Sequence, residues 1–115
     1  MKQKIQNIEK KSELGILLLV EEHPMRSDEE YSELYLETFD SYLSKEQVSD
    51  ALERLRNKEL ISVCYTLRDG VPFLSYRVRK ANAVGIEWSM VRNIVSRKED
   101  IKKLYRKIIG GRMIL

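Results

Sequence analysis

The sequence predicts an α+β fold: three helices, then a two-stranded β-hairpin, then a helical extension toward the C-terminal end. Three observations carry this expectation. The motif Ser-x-x-Glu/Gln lets a serine and the residue three positions on satisfy each other's backbone N–H groups, and it occurs at Ser27–Glu30, Ser44–Gln47 and Ser96–Glu99. Two alternating runs flank Asp69-Gly70, a pair that tolerates the positive φ angles of a two-residue hairpin turn. Ile94, Ile101 and Ile108 recur seven residues apart, which is a helical period.

In chain order, the first helix should run from about Ile5 or Ser12 to Glu22, closed by His23-Pro24, because a residue before proline is biased out of the helical region. The second should run from about Asp28 to Phe39, with Tyr31, Leu34, Tyr35 and Phe39 on its apolar side. A short connection, Asp40-Ser41-Tyr42-Leu43, leads to a third helix over Lys45–Glu59, whose Val48, Ala51, Leu52 and Leu55 form one stripe. Ile61, Val63, Tyr65 and Leu67 then alternate with Ser62, Cys64, Thr66 and Arg68, the pattern of a half-buried strand. The return strand, Val71–Arg79, sets Leu74, Tyr76 and Val78 against Phe73, Ser75, Arg77 and Arg79. Helical patterning resumes around Asn82 and lasts to Ile109, with a break expected at Ser96 and a stop at Gly110-Gly111.

The chain has 115 residues, 43% hydrophobic and 34% charged, enough for one modest core under a charged surface. A single cysteine, Cys64, and a single histidine, His23, exclude an internal disulfide and a zinc finger. The longest apolar run, Ile16–Val20, is too short to span a bilayer, and its flanks do not suggest a signal peptide. The cytoplasm is the expected compartment. No phosphate-binding glycine loop, nucleophile–histidine arrangement or carboxylate–histidine cluster is present, so no enzyme, cofactor, metal or small-molecule substrate is expected.

Net charge is +3, unevenly spread: residues 1–11 carry +3, residues 12–66 carry −8 and residues 67–115 carry +8. A basic binding surface in the C-terminal half would follow from that asymmetry.

Helix, helix, short turn, amphipathic helix and hairpin is the order of a winged helix-turn-helix. The stretch Val48-Ser49-Asp50-Ala51-Leu52-Glu53-Arg54-Leu55-Arg56-Asn57-Lys58-Glu59-Leu60-Ile61 resembles the recognition-helix segment of bacterial and archaeal winged-helix regulators. Tyr76-Arg77-Val78 resembles the strand leaving the wing in PadR-type and MarR-type repressors, and small archaeal regulators with a dimerising helix after the wing are similar in layout. Glu59 stands where these families commonly have glycine, and the threonine that usually caps the next helix is absent from Arg79-Lys80-Ala81. The resemblance implies a winged helix-turn-helix domain over residues 1–80, with a C-terminal helical extension over 81–115. It also implies sequence-specific binding of double-stranded DNA as a homodimeric transcriptional regulator.

On that reading Lys45, Gln47, Ser49 and Arg54 of the third helix would contact the major groove, although its outward face is Glu46, Asp50, Glu53 and Asn57. Arg68 at the wing tip, with Arg77, Arg79 and Lys80 on the return strand, would meet phosphates or the minor groove; an ordinary solvated hairpin edge would carry the same residues. Ile94, Ile101, Leu104, Tyr105 and Ile108 would form a dimer seam, opposite a basic run from Arg97 to Lys107. The same segment would otherwise fold back on the first helix, or less readily lie on a membrane surface. The rival function is a protein-interaction module without DNA binding, in which the acidic middle and basic tail bind a protein or each other.

Overall fold

In the computed structural model, which describes residues 10–97, four α-helices and one hairpin follow each other: α1 (Lys11–Glu22), α2 (Asp28–Phe39), α3 (Lys45–Asn57), β1 (Ile61–Arg68), β2 (Val71–Val78), a 3₁₀ turn (Lys80–Asn82) and α4 (Trp88–Arg97). Both interior capping boxes form. Ser27 Oγ accepts from the Glu30 N–H while Glu30 Oε1 accepts from the Ser27 N–H, and Ser44 and Gln47 repeat the exchange. Ser96 lies inside α4, which opens at Trp88 rather than near Asn82, and its capping partner Glu99 falls outside the described residues. Val91 and Val95 of α4 are buried against the core.

α1 is the centre of the molecule. Every residue from Glu13 to Val20 is buried, because α2, α3, α4 and β2 all pack around it. A helix covered on all sides carries apolar residues all round, and this one has a single polar residue in that run, Glu13. Gly15 sits where the Tyr35 ring crosses: a Cβ there would lie 2.7 Å from Tyr35 Cε2 and 3.2 Å from Phe39 Cε2. The core also takes in Val48, Leu52, Leu55, Leu60, Tyr76, Ile86, Val91 and Val95.

α3 ends two residues earlier than its apolar pattern suggests, and its exit explains the departure at Glu59. The Leu60 N–H bonds the Leu55 carbonyl and the Glu59 N–H bonds the Arg56 carbonyl, with Glu59 at φ 63°. This is a Schellman exit, whose left-handed residue is most often glycine. The buried Leu55 and Leu60 supply its hydrophobic clasp.

The hairpin is antiparallel from Ile61 opposite Val78 to Arg68 opposite Val71. Asp69 and Gly70 turn the chain with φ of 54° and 78°. Met25, itself left-handed, donates its N–H to the Tyr76 carbonyl and so fixes the α1–α2 connection to the outer edge of β2. The strand alternation holds, but the burial it suggested does not. Val63, Tyr65 and Leu67 are exposed, whereas Ser62, Cys64 and Thr66 are half-buried. The hairpin projects past the helices, so only Ile61, Tyr76 and Val78 of its apolar side reach the core, while the Met25 loop covers the other side.

Candidate nucleic-acid interface

α3 exposes Glu46, Asp50, Glu53 and Asn57 along its outward face, as its periodicity predicts. The side chains expected to contact bases have partners within the chain. Lys45 Nζ lies 3.3 Å from Glu29 Oε1 on α2. Gln47 is engaged in the α3 capping box, and Ser49 Oγ donates to Asp28 Oδ2. Arg54 turns toward α1, where Glu13 accepts from Lys58 at 2.8 Å and faces Arg54 at 3.6 Å. Glu13 is only 2% exposed, so the two cations balance a carboxylate taken out of water.

Asp28 joins three elements. Beyond Ser49 of α3 it accepts from the Tyr76 hydroxyl of β2 at 2.7 Å. Burial first, then this carboxylate, pushes the Tyr76 phenol well above its ordinary value. Tyr31, whose hydroxyl donates to the His23 carbonyl at 2.6 Å, is pushed up to about 12 by burial. His23 therefore serves as a helix-end residue through its backbone.

The hairpin has two chemically different sides. One side faces α3 across a cleft of about 500 Å³, lined by Asp28, Ser49, Leu52, Glu53, Arg56, Val63, Tyr65, Leu74 and Tyr76. The other side holds the half-buried Cys64 and Thr66 around the fully buried Ser75 hydroxyl, with the Cys64 Sγ 3.6 Å from Met25 Sδ. Arg68 leans to this second side: it pairs with Glu30 of α2 at 3.1 Å and stacks over Phe73 at 4.6 Å. The backbone N–H of Ser27, with a smaller share from Arg68, holds the Glu30 carboxyl below its ordinary value.

The expected DNA-contacting residues are thus dispersed. Arg77 and Lys80 come together beside Glu21, Pro24 and Met25, on the side of the hairpin away from α3. Arg79 is exposed just past β2, its N–H bonded to the Leu60 carbonyl. Arg56, which sequence reasoning placed on a flank without assigning it a role, is exposed and lines the cleft. Asp28 and Glu13 also escaped sequence reasoning, since their partners lie 21 to 48 residues away.

α4 packs on α1, and Arg92 pairs with Glu22. Ile94 lies within α4, while Ile101, Leu104, Tyr105 and Ile108 fall outside the described residues. Among the described residues no helix is long and apolar enough to cross a membrane, and no cluster of His, Cys, Asp or Glu is placed to hold a metal ion.

No protein-family model matches the chain. No curated protein matches it significantly. Among solved structures, the chain is similar to a candidate transcriptional regulator from Thermoplasma acidophilum, with a TM-score of 0.54, 18% identity and 84% of each chain covered. At that identity the likeness is one of fold.

Proposed function

We propose that the protein is a winged helix-turn-helix transcriptional regulator that binds double-stranded DNA as a homodimer in the cytoplasm. The observation that carries this reading is the placement of α3. It is capped at both ends, open on its outward face and flanked by a hairpin, in a fold shared with a candidate regulator. Such a helix enters the major groove while the wing touches backbone or minor groove. Arg56, Arg77, Arg79 and Lys80 are exposed and hold no ion pair among the described residues, so they meet phosphates first. Lys45, Ser49, Arg54 and Arg68 contact DNA only by exchanging their present partners. Gln47 would leave its capping box to do the same. Ile94, Ile101, Leu104, Tyr105 and Ile108 form the dimer seam that sets half-site spacing.

A salt titration on a preferred and a scrambled duplex tests the reading. Each phosphate contact removed lowers the slope of log affinity against log salt by about 0.9. Arg79→Ala and Arg68→Ala flatten that slope on both duplexes, whereas Gln47→Ala and Arg54→Ala chiefly reduce discrimination between them. A parent protein that binds neither duplex at low salt ends the DNA reading. The alternative, a protein-interaction module, is favoured by one specific observation: the exposed apolar hairpin side facing Glu53 of α3 across the cleft.

A further inference from the structure

Met25 stands in the α1–α2 connection with φ of 67°, a left-handed conformation that a bulky side chain adopts only when its surroundings hold it there. Its N–H bonds the Tyr76 carbonyl at 2.8 Å, and its half-buried side chain lies on the side of the hairpin away from α3. Three donor groups converge on the thioether. Cys64 Sγ is 3.6 Å from Met25 Sδ, Ser75 Oγ is 3.8 Å away and Arg77 Nη2 is 3.8 Å away. Cys64 and the fully buried Ser75 reach the sulfur from within the hairpin, whereas Arg77 is exposed. A thioether is a weak acceptor, so these donors surround a poor partner.

The same side chain lines a cavity of about 270 Å³, whose polar lining includes Arg77 and Lys80 and whose apolar lining includes Val20 and Val78. That volume admits a molecule a little larger than water, which occupies about 30 Å³ in the liquid. Cys64 does not line this cavity, so the sulfur it opens to is the thioether and not the thiol. A divalent sulfur carries two lone pairs. With Cys64 and Ser75 gathered at one, the other is left to the cavity and to Arg77. An oxygen added on that side is a far stronger acceptor than the sulfur that bears it, and it meets two cationic donors, whose hydrogen bonds are the stronger for their charge.

We propose that Met25 is a site of reversible S-oxidation, attacked by hydrogen peroxide from this cavity. The sulfur lone pair attacks one peroxide oxygen, and the S–O bond forms as the O–O bond breaks. The proton on the attacked oxygen passes to the departing hydroxide, which leaves as water; sulfur loses two electrons and the peroxide gains them. Because attack comes from one side, a single sulfoxide epimer forms, its oxygen accepting from Arg77 and Lys80. A methionine sulfoxide reductase of matching epimer specificity reverses the step, releasing the oxygen as water while two thiols become a disulfide. Oxidation also draws Arg77 and Lys80 away from phosphate; this consequence alone rests on the DNA-binding reading.

The test treats the folded full-length protein with hydrogen peroxide, then unfolds it and divides it between the two epimer-specific reductases before peptide mass mapping. The expected result is a Met25 peptide that gains one oxygen and is restored by one reductase about tenfold more completely than by the other. Protein oxidised in urea, where the cavity is gone, yields both Met25 epimers in comparable amounts. Met90, half-buried on α4, is the internal reference. A Met25 that stays reduced while Met90 oxidises, or a Met25 sulfoxide shared evenly between the reductases in folded protein, overturns the proposal. Duplex binding is then measured before and after oxidation. The slope of log affinity against log salt falls by about 0.9 for each of the two cations withdrawn, and Met25→Leu, which cannot form the sulfoxide, keeps its slope after peroxide. A parent slope unchanged by oxidation removes the consequence for DNA. A duplex that never binds ends the DNA reading, while a single epimer at Met25 continues to support the site.

Discussion

Lys58→Met should destabilise the protein far more than the simultaneous loss of Lys58 and Glu13. The Glu13 side chain is 3% exposed, with Lys58 at 2.8 Å and Arg54 at 3.6 Å, the latter's side chain 46% exposed. Removing Lys58 leaves a desolvated carboxylate with one distant, half-solvated counterion. Stranding a buried charge in this way costs about 3–5 kcal/mol, and the remaining Arg54 places the expected loss near the lower end, about 3 kcal/mol. Adding Glu13→Met removes the stranded charge and fills its space with apolar volume, while Arg54 turns to water. Replacing both partners of a buried pair by apolar residues is commonly neutral or better, so the double variant should return to within about 1 kcal/mol of the parent. Urea unfolding followed by circular dichroism, with midpoints compared at constant slope, measures both differences. A double variant no more stable than Lys58→Met would refute the reasoning, because the two losses would then be independent rather than coupled through one buried carboxylate.

Two further outcomes follow from the same packing. Gly15→Ala places a methyl 2.7 Å from the buried Tyr35 ring. The overpacking costs about 1–3 kcal/mol, which outweighs the ~1 kcal/mol that alanine gains over glycine in a helix, so the urea midpoint falls; an unchanged or raised midpoint would show that the ring yields freely. Tyr31, Tyr35 and Tyr76 all ionise above their ordinary value of 10.0 because burial disfavours the phenolate. A folded-state value raised above the unfolded one gives stability that is present below pH 10.0 and lost as pH climbs through about 12, the value of Tyr31. Unfolding midpoints measured across that range should decline steadily, and a flat profile would contradict the burial of these rings.

The parts of the fold that were legible in the sequence are those set by neighbours in the chain. Ser27 with Glu30 and Ser44 with Gln47 cap helices because the exchange involves only the first turn. Asp69-Gly70 turns the hairpin for the same local reason. At the third motif, Ser96 lies within α4, whose Val91 and Val95 bury against the core, and its partner Glu99 falls outside the described residues. Strand alternation shows that the hairpin has two unlike sides but not which side is covered. That depends on where α3 and the Met25 loop lie, and the loop covers Cys64 and Ser75 while the cleft leaves Tyr65 open.

Charge shows the limit most clearly. A sequence counts carboxylates; only the fold separates those already engaged from those facing outward. Of the acidic residues between 12 and 66, Glu13 is engaged by Arg54 and Lys58, Asp28 by Ser49 and Tyr76, Glu29 by Lys45, and Glu30 by Arg26 and Arg68. These interactions engage several of the cations that the sequence assigns to DNA, and they lock α1, α2, α3 and the hairpin to one another. Glu46, Asp50 and Glu53 are exposed on α3 beside Arg56. The electrostatic character of the outward face of α3 is therefore set by three carboxylates and one arginine rather than by the regional total. On the DNA-binding reading proposed above, general attraction to phosphate comes chiefly from Arg77 on β2 and from Arg79 and Lys80 just beyond it. On that reading, a surface so divided approaches a duplex along its basic edge and not through the carboxylates of α3.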